Sequence, residues 1–166
     1  MEKINFEEVK GLVTHFIDFE SSGLSPDSYP IEIAVAYSPD TYVKLIKPAY
    51  YWEYWDQNAQ ELHKITQAEL IANGSDIEEL TDELNDLFSK KILWADSNYD
   101  KMWMDNLYEA ANKEMTFKVG NIYSCIPHLY QPLLLQEIGS TIEHRALPDA
   151  LRIEKAWYSF MEKYSI

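Results

Sequence analysis

The sequence predicts one α/β domain over residues 1–166, in which a mixed central sheet with antiparallel first three strands is flanked by helices. Three observations carry this prediction. Apolar runs with strand periodicity come first, amphipathic helical stretches then alternate with short strands, and a long amphipathic stretch follows near the C-terminus. With 166 residues, of which 46% are apolar and 14% aromatic, the chain can build one sizeable core and has no room for a second folded unit.

The first half of the chain supplies the three antiparallel strands and a strongly amphipathic helix. The strands are expected at 12–19, 31–38 and 41–47. The turn Ser38-Pro39-Asp40 separates the second strand from the third. Ser75 is expected to cap a helix that runs from Asp76 to Ser89.

In the second half, helices and strands alternate. The expected elements are a strand at 91–95, a helix at 101–112, a strand at 117–123, a helix at 127–137 and a last helix from His144 or Ala146 towards Lys163. Four apolar residues of the 101–112 helix recur at helical spacing and are expected to face a core: Met102, Trp103, Leu107 and Tyr108.

Two carboxylates end the first apolar strand. Side chains alternate along a strand, so Asp18 and Glu20 point to one side while Ile17 and Phe19 point into a core. Carboxylate oxygens on one strand face form a platform for Mg²⁺, which prefers hard oxygen ligands. The alternative is a solvated strand edge or a turn, which an isolated Asp-x-Glu more often marks.

Two further acidic positions lie near expected helix starts. Asp100 comes where the helix after the 91–95 strand begins, and its alternative interpretation is an acid that complements the helix dipole. Near the C-terminus, His144 is followed five residues later by Asp149, and this pair is equally compatible with a polar first helical turn. Neither motif decides a function by itself.

In this combination and order, the motifs Asp18-x-Glu20, Asp100 and His144-x-x-x-x-Asp149 resemble the DEDDh group of 3′-to-5′ exonucleases, which includes ribonuclease T and oligoribonuclease. The likeness covers most of the chain, because Tyr29–Tyr37 is similar to the second strand of these enzymes. The segment Leu62–Thr66 is similar to their His-Gly-Ile-Thr segment, with Lys64 in place of glycine. The resemblance implies a ribonuclease H-like fold.

The resemblance also implies a two-metal mechanism for hydrolysing phosphodiesters. Asp18 would contact both of two ions, Mg²⁺ or Mn²⁺. Glu20 and Asp149 would hold the ion that carries the attacking water, and Asp100 would support the second ion. His144 would take a proton from that water, since an imidazole suits a base near neutral pH. The implied substrates are single-stranded or short RNA or DNA, and the products are nucleoside 5′-monophosphates.

Substrate contacts are assigned more loosely. The candidates are Phe19, Ser22, Gly23, Leu24, His63 and Tyr99. Backbone amides after the platform would meet the terminal nucleotide, and Leu24 would pack on its base. Glu32 is assigned equally to a structural salt bridge or a ribose contact.

One departure from the family pattern lies at the second motif. Many members carry His-Asn-x-x-Phe-Asp there, whereas this chain carries Ala95-Asp96-Ser97-Asn98-Tyr99-Asp100. Asp96 accepts hydrogen bonds but cannot donate them as an amide does. The change puts local substrate contacts in doubt and leaves the metal-associated Asp100 in place.

The aromatic segment Tyr50–Trp55 has two interpretations. Aromatic faces stack on unpaired bases at about 1–3 kcal/mol per base, so the segment could line a single-strand path. The alternative, which the sequence favours, is that these rings cover a sheet edge or a dimer contact.

Net charge opposes tight binding of a polyanion. The chain carries −14, whereas nucleic-acid binders draw affinity from basic patches. Six cations are candidates for a local funnel: Lys44, Lys47, Lys64, Lys101, Arg145 and Arg152. We therefore expect weak affinity for long duplexes and a preference for short or single-stranded 3′ ends.

Two rival functions stay open. One is a nuclease subunit that needs a partner to bind its substrate, and the other is a non-catalytic interaction module on the same fold. The sugar is undecided, because a 2′-hydroxyl contact leaves no compositional signal. Small size and the expected cytoplasmic location favour RNA modestly. A homodimer is also compatible with the aromatic residues.

Nothing in the sequence indicates export or membrane insertion. Met1-Glu2-Lys3-Ile4 has neither a basic region nor a long apolar segment, and no run approaches about 18 apolar residues. We therefore expect a cytoplasmic protein without a membrane partner. Cys125 is the only cysteine, which excludes an internal disulfide and a cysteine-rich zinc site.

Overall fold

The protein is described here by a computed structural model, which covers residues 7–165. The segment Met1–Ile4, on which the expectation about export rests, lies outside the described residues. The helices are α1 (Glu7–Lys10), α2 (Gln57–His63), α3 (Gln67–Asn73), α4 (Ile77–Phe88), α5 (Tyr99–Ala111), α6 (Gln131–Ile138) and α7 (Ala146–Tyr164). The strands are β1 (Phe16–Ser21), β2 (Pro30–Tyr37), β3 (Asp40–Leu45), β4 (Ile92–Ala95) and β5 (Lys118–Asn121).

One five-stranded sheet organises the fold, with strand order β3-β2-β1-β4-β5. Strands β1, β2 and β3 form an antiparallel meander. Strands β4 and β5 run parallel to β1, and each is reached through helices because parallel pairing needs a long crossover. The predicted mixed sheet with antiparallel first strands and flanking helices is confirmed.

Helices cover both faces of the sheet, and β1 contributes to a core on each. Ile17 and Phe19 are buried among side chains of α4 and α5, as predicted. Phe16 points to the opposite face and is buried against α7. Asp18 and Glu20 share the face of Phe16 by strand alternation, so their carboxylates lie on the α7 side of the sheet.

Several expected boundaries move because backbone partners decide them. β1 begins at Phe16 rather than at residue 12, since its pairing with β2 begins there. Asp76 caps α4 by accepting hydrogen bonds from Glu78 N–H and Glu79 N–H. The expected cap, Ser75, instead pairs its backbone with Leu45 and Lys47 beside β3.

Two helix predictions are corrected in the second half. The 127–137 stretch begins as a short 3-10 turn, His128–Tyr130, and becomes α-helical only at Gln131. α5 begins at Tyr99, and its predicted core face is right for three residues of four. Met102 is 40% exposed, because the buried face of α5 follows Trp103 and Leu107. Among residues 7–165, no helix has the length and apolar content that a membrane span requires.

Candidate active site

Neighbouring parallel strands bring acidic residues to one edge of the sheet. β1 and β4 are parallel, so their carboxyl ends meet there, where α/β proteins commonly bind ligands. Asp18 and Glu20 lie near the end of β1, and Asp96 directly follows β4. The first turns of α5 and α7 add Asp100 and Asp149.

The five carboxylates form two groups that share Asp18. Asp18, Glu20 and Asp149 place one oxygen each within 4.8 Å of one another. Asp18, Asp96 and Asp100 do the same. Four of the five were singled out from the sequence as metal ligands, whereas Asp96 was interpreted there only as a changed substrate contact.

Asp100 is held by hydrogen bonds to both of its carboxylate oxygens. Phe19 N–H donates to Oδ1 at 3.1 Å, which joins β1 to the start of α5. Ser97 Oγ–H donates to Oδ2 at 2.8 Å, and Ser97 Oγ also accepts from Tyr99 N–H. The buried carboxylate is therefore fixed beside Asp18 before any ligand binds.

Asp149 is positioned by a charged contact at the start of α7. Glu32 on β2 is buried and receives two hydrogen bonds from Arg145, at 3.0 and 2.6 Å. It also accepts from Ala146 N–H at 2.9 Å, and so satisfies a donor that the helix leaves unpaired. Glu32 thus makes the salt bridge that was one of its two interpretations, and this bridge anchors α7.

Glu32→Gln is expected to lower the free energy of unfolding by about 1–3 kcal/mol, because a neutral amide cannot match the charged contact with Arg145. Activity should fall as well, since His144 and Asp149 flank this anchor. Urea unfolding measures the first effect. Glu137→Gln, which breaks the surface pair with Lys163, is the control and should cost less than about 1 kcal/mol. Equal losses in the two variants would contradict the anchoring role.

Burial and mutual repulsion raise the pKa values of the site carboxylates. Burial raises the pKa of Asp18 well above its usual range, and the charges of Asp100, Glu20 and Asp149 raise it further. The pKa of Glu20 rises to about 8, chiefly through burial and then through Asp149. Burial raises the pKa of Asp100 to about 7, against the opposing hydrogen bond from Ser97. The carboxylates therefore repel one another in a partly buried space, a repulsion that a bound cation would relieve.

Without divalent ions, the free energy of unfolding is expected to fall between about pH 6.5 and pH 8. In this range the folded chain keeps protons on Glu20 and Asp100 that the unfolded chain has released, so raising the pH favours unfolding. His15 and His63 have lowered pKa values and oppose the trend only up to about 6.5. Urea unfolding with and without Mg²⁺ measures the effect. The fall should vanish when Mg²⁺ is added, and a flat profile in its absence would contradict the prediction.

His144 lies at the rim of the carboxylate centre. It is half-buried and has a left-handed backbone, with φ of 55°, a conformation that few residues other than glycine adopt. His144 lines a cavity of about 260 Å³ together with all five site carboxylates: Asp18, Glu20, Asp96, Asp100 and Asp149. The imidazole is therefore placed at the edge of the cavity that the carboxylates line.

A second cavity of about 280 Å³ adjoins the first and shares Glu20, Ser21, Leu24 and His144 with it. Leu24 is 73% exposed and borders both spaces. Gly23 and His63 line the second cavity, and Tyr99 lines the first, where its ring stacks on Trp103. The second cavity is the more apolar of the two spaces around Leu24.

Two of the residues that were expected to contact substrate make contacts within the protein instead. Phe19 is packed in the core, and its N–H donates to Asp100, although its edge reaches the carboxylate cavity. Ser22 is fully buried; its N–H donates to the Tyr29 carbonyl and its hydroxyl accepts from Tyr29 N–H. The Phe19 amide therefore joins β1 to the start of α5, and the Ser22 amide holds the turn after β1.

His63 carries a buried donor without a partner among the described residues. Its Nδ1 accepts from Ile65 N–H at 3.0 Å, so a neutral ring carries its proton on Nε2. Nε2 is buried and makes no hydrogen bond within residues 7–165. Burial lowers the pKa of His63, which keeps the ring neutral beside the second cavity.

The aromatic segment Tyr50–Trp55 divides into partly buried tryptophans and exposed tyrosines. Trp52 stacks on Tyr29 with centroids 5.2 Å apart, and Trp55 also packs on that ring. Tyr50 is 97% exposed. Part of the segment therefore covers the end of the sheet, in line with the interpretation that the sequence favoured.

The candidate cations do not gather into a free funnel. Four of the six are paired with carboxylates: Lys44 with Glu83, Lys101 with Asp105, Arg145 with Glu32 and Arg152 with Asp149. These pairs reduce the positive charge that is available to a nucleic-acid backbone. The folded surface therefore supplies little of the electrostatic attraction from which nucleic-acid binders draw affinity.

The fold is similar to that of solved exonuclease I structures. The complex of E. coli exonuclease I with a dA16 oligonucleotide matches with a TM-score of 0.67 and 15% identity, over 90% of this chain and 40% of that one. The predicted ribonuclease H-like fold is confirmed. The zinc-bound complex of the E. coli enzyme with single-stranded DNA gives a TM-score of 0.63 and 18% identity over the same shares. An apo exonuclease I gives 0.66 and 17%, over 90% and 42%.

These similarities cover only part of the exonuclease I chains and have low sequence identity. The chain spans about two fifths of the length of the exonuclease I structures, and identities below 20% establish the fold alone. No family model matches the chain, and no curated protein matches it in sequence.

Proposed function

We propose that this chain is a divalent-metal-dependent 3′-to-5′ exonuclease of the DEDDh type. It hydrolyses phosphodiester bonds in single-stranded or short nucleic acid and releases nucleoside 5′-monophosphates. One observation carries the proposal: two carboxylate groups share Asp18 at the edge of a ribonuclease H-like sheet, with His144 on the same cavity. The exonuclease I structures of the same fold include complexes with single-stranded DNA oligonucleotides.

The side chains at this centre fit hard divalent cations. Their donors are carboxylate oxygens, the ligands that Mg²⁺ and Mn²⁺ prefer. Asp18 would contact both ions, Glu20 and Asp149 would hold one, and Asp100 would hold the other. When bound, such a pair of ions stabilises charge on the phosphate and lowers the pKa of water.

His144 acts as the general base in this proposal. Its imidazole takes a proton from the attacking water, whose oxygen forms the new bond to phosphorus. The bond from phosphorus to the 3′-oxygen of the preceding nucleotide breaks, and that oxygen leaves with the shortened strand. The phosphate stays on the 5′-oxygen of the released nucleotide, which gives a nucleoside 5′-monophosphate.

The two cavities divide the substrate between them. The scissile phosphate lies in the carboxylate cavity, and the terminal nucleoside occupies the adjoining space beside Leu24 and His63. The exposed Leu24 packs on the terminal base. His63 Nε2–H, which has no partner among residues 7–165, is a donor for its sugar or phosphate. Tyr99 faces the preceding nucleotide. Ser22 does not contact the substrate in this proposal, because it is buried in the turn after β1.

Matched single-stranded DNA and RNA oligomers with a 5′ label test the proposal. With Mg²⁺ or Mn²⁺, we expect stepwise shortening from the 3′ end and nucleoside 5′-monophosphates as products. The same assay measures the sugar preference, for which RNA stays the modest prediction. No shortening of either oligomer by a folded, metal-loaded chain would overturn the proposal as it applies to the isolated chain.

A partner-dependent nuclease subunit is the second candidate, and the paired cations favour it. The chain has a net charge of −14, and most of its candidate cations are paired with carboxylates. Its own affinity for a polyanion is therefore low. A partner would then supply affinity and not chemistry. In that case the isolated chain should show a high KM with an ordinary kcat on short oligomers. Homodimerisation stays a prediction that sedimentation can measure.

A further inference from the structure

We infer that Asp96 is a fifth carboxylate ligand of the metal centre and that Arg152 offsets its additional charge. The inference rests on the proposed function and deepens it, because it concerns the second ion of the same centre. Its basis is the position of Asp96 relative to Asp18 and Asp100, together with the charge balance of the site. At this position many members of the DEDDh group, which the sequence resembles, carry a neutral asparagine.

Strand pairing places Asp96 level with Asp18. Phe16 of β1 pairs with Trp94 of β4 in parallel register, so the positions two residues further along are Asp18 and Asp96. Phe16 and Trp94 lie in the same core cluster, on the α7 side of the sheet. Asp18 and Asp96 continue this face by alternation. Their oxygens lie within 4.8 Å of each other and of an Asp100 oxygen.

The charge balance gives the fifth carboxylate a counter-ion. Four carboxylates neutralise two dications, and Asp96 adds one negative charge. Arg152 supplies the matching positive charge, with Nη2 at 3.8 Å from Asp96 and Nε at 3.4 Å from Asp149. Five carboxylates and one guanidinium together balance two dications.

Arg152 does not need Asp96 to hold its place. Its Nη1 donates to the carbonyl oxygens of Ile138 and Gly139, at 3.0 and 3.4 Å. The contact with Asp96 is the longest of its contacts and lies near the outer limit for an ion pair. Asp96 also lines the carboxylate cavity and is partly exposed there. Its carboxylate is therefore available to a cation as well as to Arg152.

Mn²⁺ binding to the full chain tests the inference without relying on activity. Isothermal titration and the electron paramagnetic resonance of free Mn²⁺ give the number and affinities of the bound ions. We expect two ions in the unaltered chain, and about tenfold or greater weakening of one of them in Asp96→Asn. Asp100→Asn should weaken the same ion. Asp86→Asn removes an exposed charge on α4 and should leave both affinities unchanged.

Each outcome separates this inference from the proposed function. Two ions of unchanged affinity in Asp96→Asn would overturn the ligand role, while the proposed nuclease would stand. Absence of Mn²⁺ binding by the unaltered chain would overturn both. Asparagine is isosteric with aspartate and is the residue that many members of the DEDDh group carry here. Far-ultraviolet circular dichroism checks that the variant is folded.

Discussion

Asp18→Asn is expected to reduce the rate of nucleotide release by about 10³-fold or more while the protein stays folded. Asp18 is the one residue that belongs to both carboxylate groups, so its loss removes a ligand from each ion. Single-turnover cleavage of a 5′-labelled oligomer measures the effect independently of product release. Asp86→Asn, an equal change of charge on the exposed face of α4, should retain full activity.

The same substitution is expected to stabilise the metal-free protein. Burial and the neighbouring carboxylates raise the pKa of Asp18, so its ionised form destabilises the folded chain near neutral pH. A neutral amide of the same shape removes that repulsion. Higher stability with lost activity is the pattern that a functional site predicts, and unchanged activity in Asp18→Asn would contradict the metal-centre assignment.

His144→Asn is expected to slow cleavage by about 10²–10⁴-fold with little change in Mn²⁺ binding. Asparagine tolerates the left-handed backbone at this position, so the variant removes the imidazole without a backbone penalty. Single-turnover cleavage of a 5′-labelled oligomer measures the rate, and isothermal titration with Mn²⁺ measures the binding.

His128→Asn is the matched control for the base. His128 is exposed in the 3-10 turn before α6 and lines neither of the two cavities described at the site. This variant should keep the full rate of cleavage. A rate for His144→Asn within a few-fold of the unaltered chain would exclude His144 as the base.

Local periodicity explains why so much of the fold could be predicted from the sequence. The alternation in Ile17-Asp18-Phe19-Glu20 requires only that the segment be a strand, and the sheet places the apolar pair in a core. The order of strands and amphipathic helices likewise follows from patterns of a few residues. Helix α5 illustrates the limit, because Met102 fits the periodicity but lies outside the buried face.

Features that depend on distant residues were not predictable in this way. Asp76 caps α4 because the backbone of Ser75 pairs beside β3, a contact between segments about 30 residues apart. The role of Asp96 depends on the register between β1 and β4, which no local pattern encodes. Its only signal in the sequence is the departure from the asparagine that many members of the DEDDh group carry at this position. The pairing of the cations with carboxylates is equally a property of the folded surface.

Anomalous scattering from a crystal grown with Mn²⁺ and a nucleoside 5′-monophosphate tests the central claim most directly, because it locates the ions themselves. The account predicts two peaks about 3.5–4 Å apart, both in contact with the Asp18 carboxylate. The nucleotide phosphate should lie beside them, within reach of His144. A crystal with bound nucleotide but no peak at Asp18, or with its Mn²⁺ elsewhere on the chain, would contradict the account.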